Sequence, residues 1–89
     1  MNKRFWQGKR VLITGYEGFL GSWLVRTLLT TQADIFGLDI RTFRKETILT
    51  RQDLSRIHII KGNIKNFTLV SNTIRDNNIE IIFHLAAKS

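Results

Sequence analysis

Three glycines at positions 15, 18 and 21 stand between an apolar run and a segment of helical periodicity, and they constrain this chain more than any other feature. The stretch reads Thr14-Gly15-Tyr16-Glu17-Gly18-Phe19-Leu20-Gly21 and directly follows Val11-Leu12-Ile13. A sharp exit from a strand calls for positive φ, which glycine alone takes freely, and Gly15 stands where that exit falls. Gly18, without a Cβ, lets a pyrophosphate approach the backbone, and Gly21 lets the new helix pack closely on the strand. The first N–H groups of that helix, together with its dipole, then face the anion. The spacing is G-x-x-G-x-x-G rather than the more common G-x-G-x-x-G. This pattern predicts a nucleotide cradle; the alternative is a tight strand-to-helix turn with no ligand.

Around the loop the chain alternates strand and helix, which points to an α/β fold with a parallel sheet. Residues 9–15 hold the first strand, and its unbroken apolar run fits a central strand buried on both faces. A helix is predicted from Phe19 to about Thr31, with apolar residues at 19, 20, 23, 24, 28 and 29. The second strand covers Asp34 to Leu38 and ends at Asp39. Residues 41–45 read as a loop, and Glu46 to Leu54 as one short helix. Ile57 to Ile60 form the third strand, closed by Gly62. Asn66 is a plausible N-cap for a helix marked by Phe67, Val70 and Ile74 and ending at Asn77-Asn78. An apolar stretch from Ile79 to Ala87 makes a fourth strand. The sheet order expected for such a half is 3-2-1-4.

Length and composition narrow the function classes. With 89 residues there is room for one domain, and 43% hydrophobic content in regular patterns argues against disorder. Without cysteine there is no disulfide framework and no thiolate metal site, and two histidines make no convincing zinc site. The apolar runs fall far short of the ~20 residues that cross a bilayer, so no membrane partner and a cytoplasmic location are expected. Fourteen Lys and Arg against seven Asp and Glu give a net charge of +7. These cations are scattered from Lys3 to Lys88 rather than gathered on one stretch, and nucleic acid is not the expected partner.

Thr-Gly-x-x-Gly-Phe-x-Gly at 14–21 resembles the opening of the extended short-chain dehydrogenase/reductases, the NAD-dependent epimerases and dehydratases of nucleotide sugars. The leader Phe5-Trp6-Gln7-Gly8-Lys9-Arg10-Val11 and the continuation Gly21-Ser22-Trp23-Leu24 resemble the CDP-glucose 4,6-dehydratase branch most. The resemblance runs from about Phe5 to Ser89 and covers the first third or so of such an enzyme. It implies a Rossmann-like half-domain over residues 1–89, truncated relative to the family. It also implies bound NAD, which in the full enzymes takes hydride from the sugar ring and returns it.

Residues of the cofactor site follow from the motif and from the resemblance together. Gly15, Tyr16, Gly18, Phe19, Leu20 and Gly21 make the cradle. Asp39, 18 residues past Gly21, can accept hydrogen bonds from the adenosine ribose hydroxyls and repel a 2′-phosphate, which favours NAD over NADP. Arg41 and Arg44 lie close enough to pull the other way, and a solvated turn aspartate is the alternative. Gly62-Asn63-Ile64 stands where the family usually has Gly-Asp-Ile, whose carboxylate meets the adenine amino group; Asn63 keeps an acceptor oxygen without the charge. Phe83-His84-Leu85-Ala86-Ala87 resembles the family's His-Leu-Ala-Ala segment, whose small residues let the cofactor lie against the strand end. His84, alone in an apolar strand, reads as a packed core or interface residue.

No catalytic residue is expected here. The resembled enzymes move a proton with a Tyr-x-x-x-Lys pair. The one tyrosine here is Tyr16, and Leu20 stands four residues on. Three readings stay open: part of an enzyme completed by a second polypeptide or by further sequence, a nucleotide-binding module without catalysis, or a basic interaction protein that retains the fold. With no fifth strand in the sequence, the edge of strand four is expected to pair with a partner or with another copy. The isolated chain is expected to be inactive.

Overall fold

The computed structural model describes residues 2–41 and 44–86. Its elements run α1 (Lys3–Trp6), β1 (Arg10–Thr14), α2 (Phe19–Leu29), β2 (Asp34–Asp39), α3 (Arg51–Leu54), β3 (His58–Lys61), α4 (Phe67–Asp76) and β4 (Ile81–His84). All strand pairs are parallel and the order is β3-β2-β1-β4, the predicted Rossmann-like arrangement.

Val11, Leu12 and Ile13 lose all solvent exposure. A strand covered on both faces alternates its side chains between two apolar layers, so it needs no polar positions. One layer lies under α2, where Val11, Ile13, Val25, Leu28 and Ile35 gather with Tyr16. The other lies under α4, where Leu12, Phe36 and Leu38 meet Leu69, Val70 and Ile74. Asn66 caps α4 as predicted, its carboxamide oxygen accepting from the Leu69 N–H at 3.0 Å.

The leader, which no sequence pattern assigned, contains a helical turn, α1, because the Asn2 side chain accepts from the N–H groups of Arg4 and Phe5. Trp6 then packs on the core beside Phe83. Three local expectations needed correction. Between 46 and 54 only Arg51–Leu54 is helical. The preceding residues are pinned instead by side chains, with the Ile48 N–H donating to Ser22 Oγ at 3.2 Å. β4 is four residues long, not nine, since Asn78 turns at φ 51° and Ile79 joins the α4 layer. His84 is exposed rather than packed in the core. No described helix is long and apolar enough to cross a membrane.

Candidate functional site

Parallel strands all end at the same edge of the sheet, so the loops after β1, β2, β3 and β4 gather there. Thr14 to Gly21 lies at the middle of that edge. Gly15 takes φ 73°, and a Cβ on it would stand 2.7 Å from the backbone of Ala86. The turn and the close approach of β4 therefore both require glycine. A Cβ on Gly21 would run into the Gly15 carbonyl oxygen, which is the close helix-to-strand contact that the motif predicts. At Gly18 such a Cβ would meet the Gly15 oxygen at 3.4 Å and, among the described residues beyond its chain neighbours, nothing else within 4 Å. The described residues thus leave the space over Gly18 open.

α2 starts differently from the other described helices. Asn2, Thr50 and Asn66 cap α1, α3 and α4 through their side chains. Gly18 is the N-cap of α2 and brings no side-chain hydrogen bond. A helix start with bare N–H groups and an open approach fits a phosphate group, because the donors and the dipole both favour an anion.

Asp39 ends β2 beside this loop and is 5% exposed. Its Oδ2 accepts from the Glu17 N–H at 3.2 Å, and its Oδ1 accepts from the Ile40 N–H at 2.7 Å. The Arg44 guanidinium reaches Oδ1 at 3.4 Å. Glu17 is fully buried; its Oε1 accepts from the Arg44 backbone N–H at 3.1 Å. Sequence reasoning gave no role to Glu17 and treated Arg44 only as a competing charge. An acidic residue inside an otherwise apolar and glycine-rich loop was the signal available for Glu17.

The remaining expected site residues divide by position. Phe19 and Leu20 stand out from the start of α2, 60% and 68% exposed. Tyr16 is fully buried, its ring filling the space over Gly37, so only its backbone faces the loop. Burial pushes its phenol well above the ordinary value, and the nearby carboxylates of Glu17 and Asp39 add to this. Asn63 is exposed, with its carboxamide oxygen accepting from the Lys65 N–H at 2.8 Å in a tight turn. Ile64 packs into the α4 layer. Leu85 and Ala86 lie beside Gly15 at the end of β4, and Ala87 falls outside the described residues.

Known proteins share this fold. The chain is 42% identical to a CDP-glucose 4,6-dehydratase of Salmonella typhimurium over 99% of its own length and 25% of the relative's. An epimerase of Methanothermobacter thermautotrophicus superposes with a TM-score of 0.77 at 27% identity, over 97% of this chain and 25% of that one. A dTDP-glucose 4,6-dehydratase of Bacillus anthracis, solved in complex with NAD, gives 0.75 at 27% identity, over 90% of this chain and 27% of that one. The chain thus spans about a quarter of the length of these relatives. Residues 12–89 match the sequence model described as GDP-mannose 4,6 dehydratase, and the chain belongs to that family.

Proposed function

We propose that this chain is the NAD-binding N-terminal part of a nucleotide-sugar epimerase or dehydratase. The observation that carries the reading is the bare N-terminus of α2 behind the open face of Gly18. Bound NAD would supply a hydride acceptor for the sugar ring and a donor for its return. The chain's own residues hold the cofactor: the loop at 15–21 its pyrophosphate, Asp39 the adenosine ribose, Asn63 and Ile64 the adenine side, and Leu85 and Ala86 the strand end against which it lies. NAD is favoured over NADP because a 2′-phosphate would meet the buried carboxylate of Asp39.

Titration calorimetry of wild type and Gly18→Val with NAD and ADP-ribose tests the reading. The variant is expected to lose both ligands while keeping its fold; equal affinities would remove the phosphate cradle. Calorimetry with NADP tests the second cofactor, and tighter binding of NADP than NAD would reverse the choice. β4 pairs with β1 on one side, and Ile82 on it is 47% exposed. A further strand, from the same protein or from another chain, is the proposed neighbour on its other side. Light scattering of the purified chain is expected to show self-association. A stable monomer would discount the second-chain form of that proposal.

A further inference from the structure

Asp39, Glu17 and Arg44 close a ring in which each member holds the next. The Glu17 N–H binds Asp39 Oδ2, the Arg44 guanidinium binds Asp39 Oδ1, and the Arg44 backbone N–H binds Glu17 Oε1. Two carboxylates are thereby buried in one ring, at 5% and 0% exposure, with one guanidinium that is itself mostly covered. Among the described residues, the second carboxylate oxygen of Glu17, the Arg44 Nε and the Tyr16 hydroxyl are buried without a hydrogen-bond partner. Glu46, the other acid that Arg44 reaches, is half exposed and contributes little. Like charges confined at low dielectric repel strongly, and each buried ion needs an opposite charge or donors to stay. Glu17 is therefore a standing threat to Asp39, and Arg44 is the group that answers it.

We propose that Arg44 is the positioning residue of the ribose site. It holds Asp39 in place, against the like charge of Glu17, as the acceptor for the adenosine ribose hydroxyls. Glu17 takes part in its own control by fixing the Arg44 backbone, so the guanidinium reaches Asp39 from a tethered origin and loses little freedom in doing so. This inference rests on the NAD-binding reading given above. It adds that binding at the ribose depends on a residue outside the glycine motif and beyond the end of β2.

The test compares ADP with 2′-deoxy-ADP, which differ in the ribose hydroxyl alone. Wild type is expected to prefer ADP by about tenfold, the size of one hydrogen bond to a charged acceptor. In Arg44→Ala that preference is expected to collapse to about twofold or less, with the affinity for inorganic pyrophosphate retained, because only the ribose acceptor is disturbed. Arg44→Lys, which keeps the charge, and Arg44→Ala combined with Glu17→Gln, which removes the repulsion, should each restore most of the preference. A residue that mattered only for folding would not change the ratio of two nucleotides, nor be rescued by removing Glu17. Should Arg44→Ala fail to fold, Arg44→Gln takes its place with the same expected collapse. An unchanged preference in the folded variant overturns the inference alone. Wild type that binds neither nucleotide overturns it together with the function on which it rests.

Discussion

Thr14 Oγ1 and His84 Nδ1 are hydrogen-bonded across the ends of β1 and β4, 2.8 Å apart. The direction follows from counting lone pairs. Thr14 Oγ1 also accepts from the N–H groups of Leu85 and Ala86, at 3.1 and 3.3 Å. Both acceptor positions of the hydroxyl are then occupied, and its proton is left for the imidazole. With the hydroxyl as donor His84 Nδ1 is the acceptor, and the pair ties the end of β4 to the strand that leads into the glycine turn.

Thr14→Val keeps the shape and removes that oxygen. The Ala86 N–H loses its acceptor in a part-buried place, while the Leu85 N–H keeps the Thr14 carbonyl oxygen at 3.0 Å, and the change is expected to cost about 1–3 kcal/mol. Urea unfolding of both proteins checks the cost. Nitrogen NMR of wild type should find the His84 proton on Nε2, and a proton on Nδ1 would contradict the assigned direction.

Gly18 and Gly21 should respond to alanine in opposite ways. At Gly21 the added methyl overlaps the Gly15 carbonyl oxygen and stands 2.8 Å from Tyr16 Cα. Both neighbours are backbone, so the loop itself has to open, at an expected 1–3 kcal/mol or so. At Gly18 the methyl makes ordinary contact, and the expected loss is at most about 1 kcal/mol, the N-cap preference over alanine. Denaturant midpoints of the two variants give the comparison, and equal losses would contradict the close packing of Gly21 on Gly15.

Tyr16 is the sole tyrosine, so phenolate absorbance reports on it alone. Its phenol is held above the ordinary value of about 10 by burial first and by Glu17 and Asp39 next. A raised value means that the fold favours the neutral phenol. This contribution is complete below the unfolded value and is lost as pH rises through the folded one. The native chain should ionise Tyr16 at higher pH than the urea-unfolded chain. Coincident titrations would place the ring in water.

α3 offers an acid-side test. Thr50 and Asp53 form a reciprocal cap, with the Thr50 N–H donating to the Asp53 carboxylate at 2.9 Å and Arg26 reaching it at 2.8 Å. The Thr50 N–H first and Arg26 next hold this carboxyl below its ordinary value. A lowered value stabilises the fold above the unfolded pKa, and that stability is lost as pH falls through the folded one. Asp53→Asn should lower the melting temperature near neutrality and converge with wild type in acid. Thr50→Ala should cost about 1 kcal/mol at neutral pH. A constant gap between Asp53→Asn and wild type at every pH would argue against the carboxylate as the source.

The elements that the sequence by itself determined are those specified within a few neighbouring residues. Val11 to Ile13 could only be a doubly covered strand, and the glycine spacing could only follow it with a tight turn into α2. Asn66 announces α4 because a cap is read within one helical turn. Alternation of strands and helices then leaves few ways to arrange a parallel sheet, and the order β3-β2-β1-β4 is among them. The sequence also located Asp39, whose place at the end of β2 follows from counting.

Tertiary structure decided what depends on contacts between distant segments. Whether residues 46–50 coil or extend turned on Ser22, far back in the chain, which accepts from Ile48. The length of β4 was set by where β1 offers partners, not by its apolar run. His84, read as a packed core or interface residue, is exposed, on a strand that pairs with β1 among the described strands and with its ring against Thr14. Glu17 and Arg44 lie 27 residues apart, and no local pattern couples them. Propensity and periodicity act through neighbours on one turn or one pleat, whereas burial of a charge depends on everything that the fold brings around it. For that reason the glycine turn into α2 was legible in the sequence, and the ring of charges around Asp39 was not.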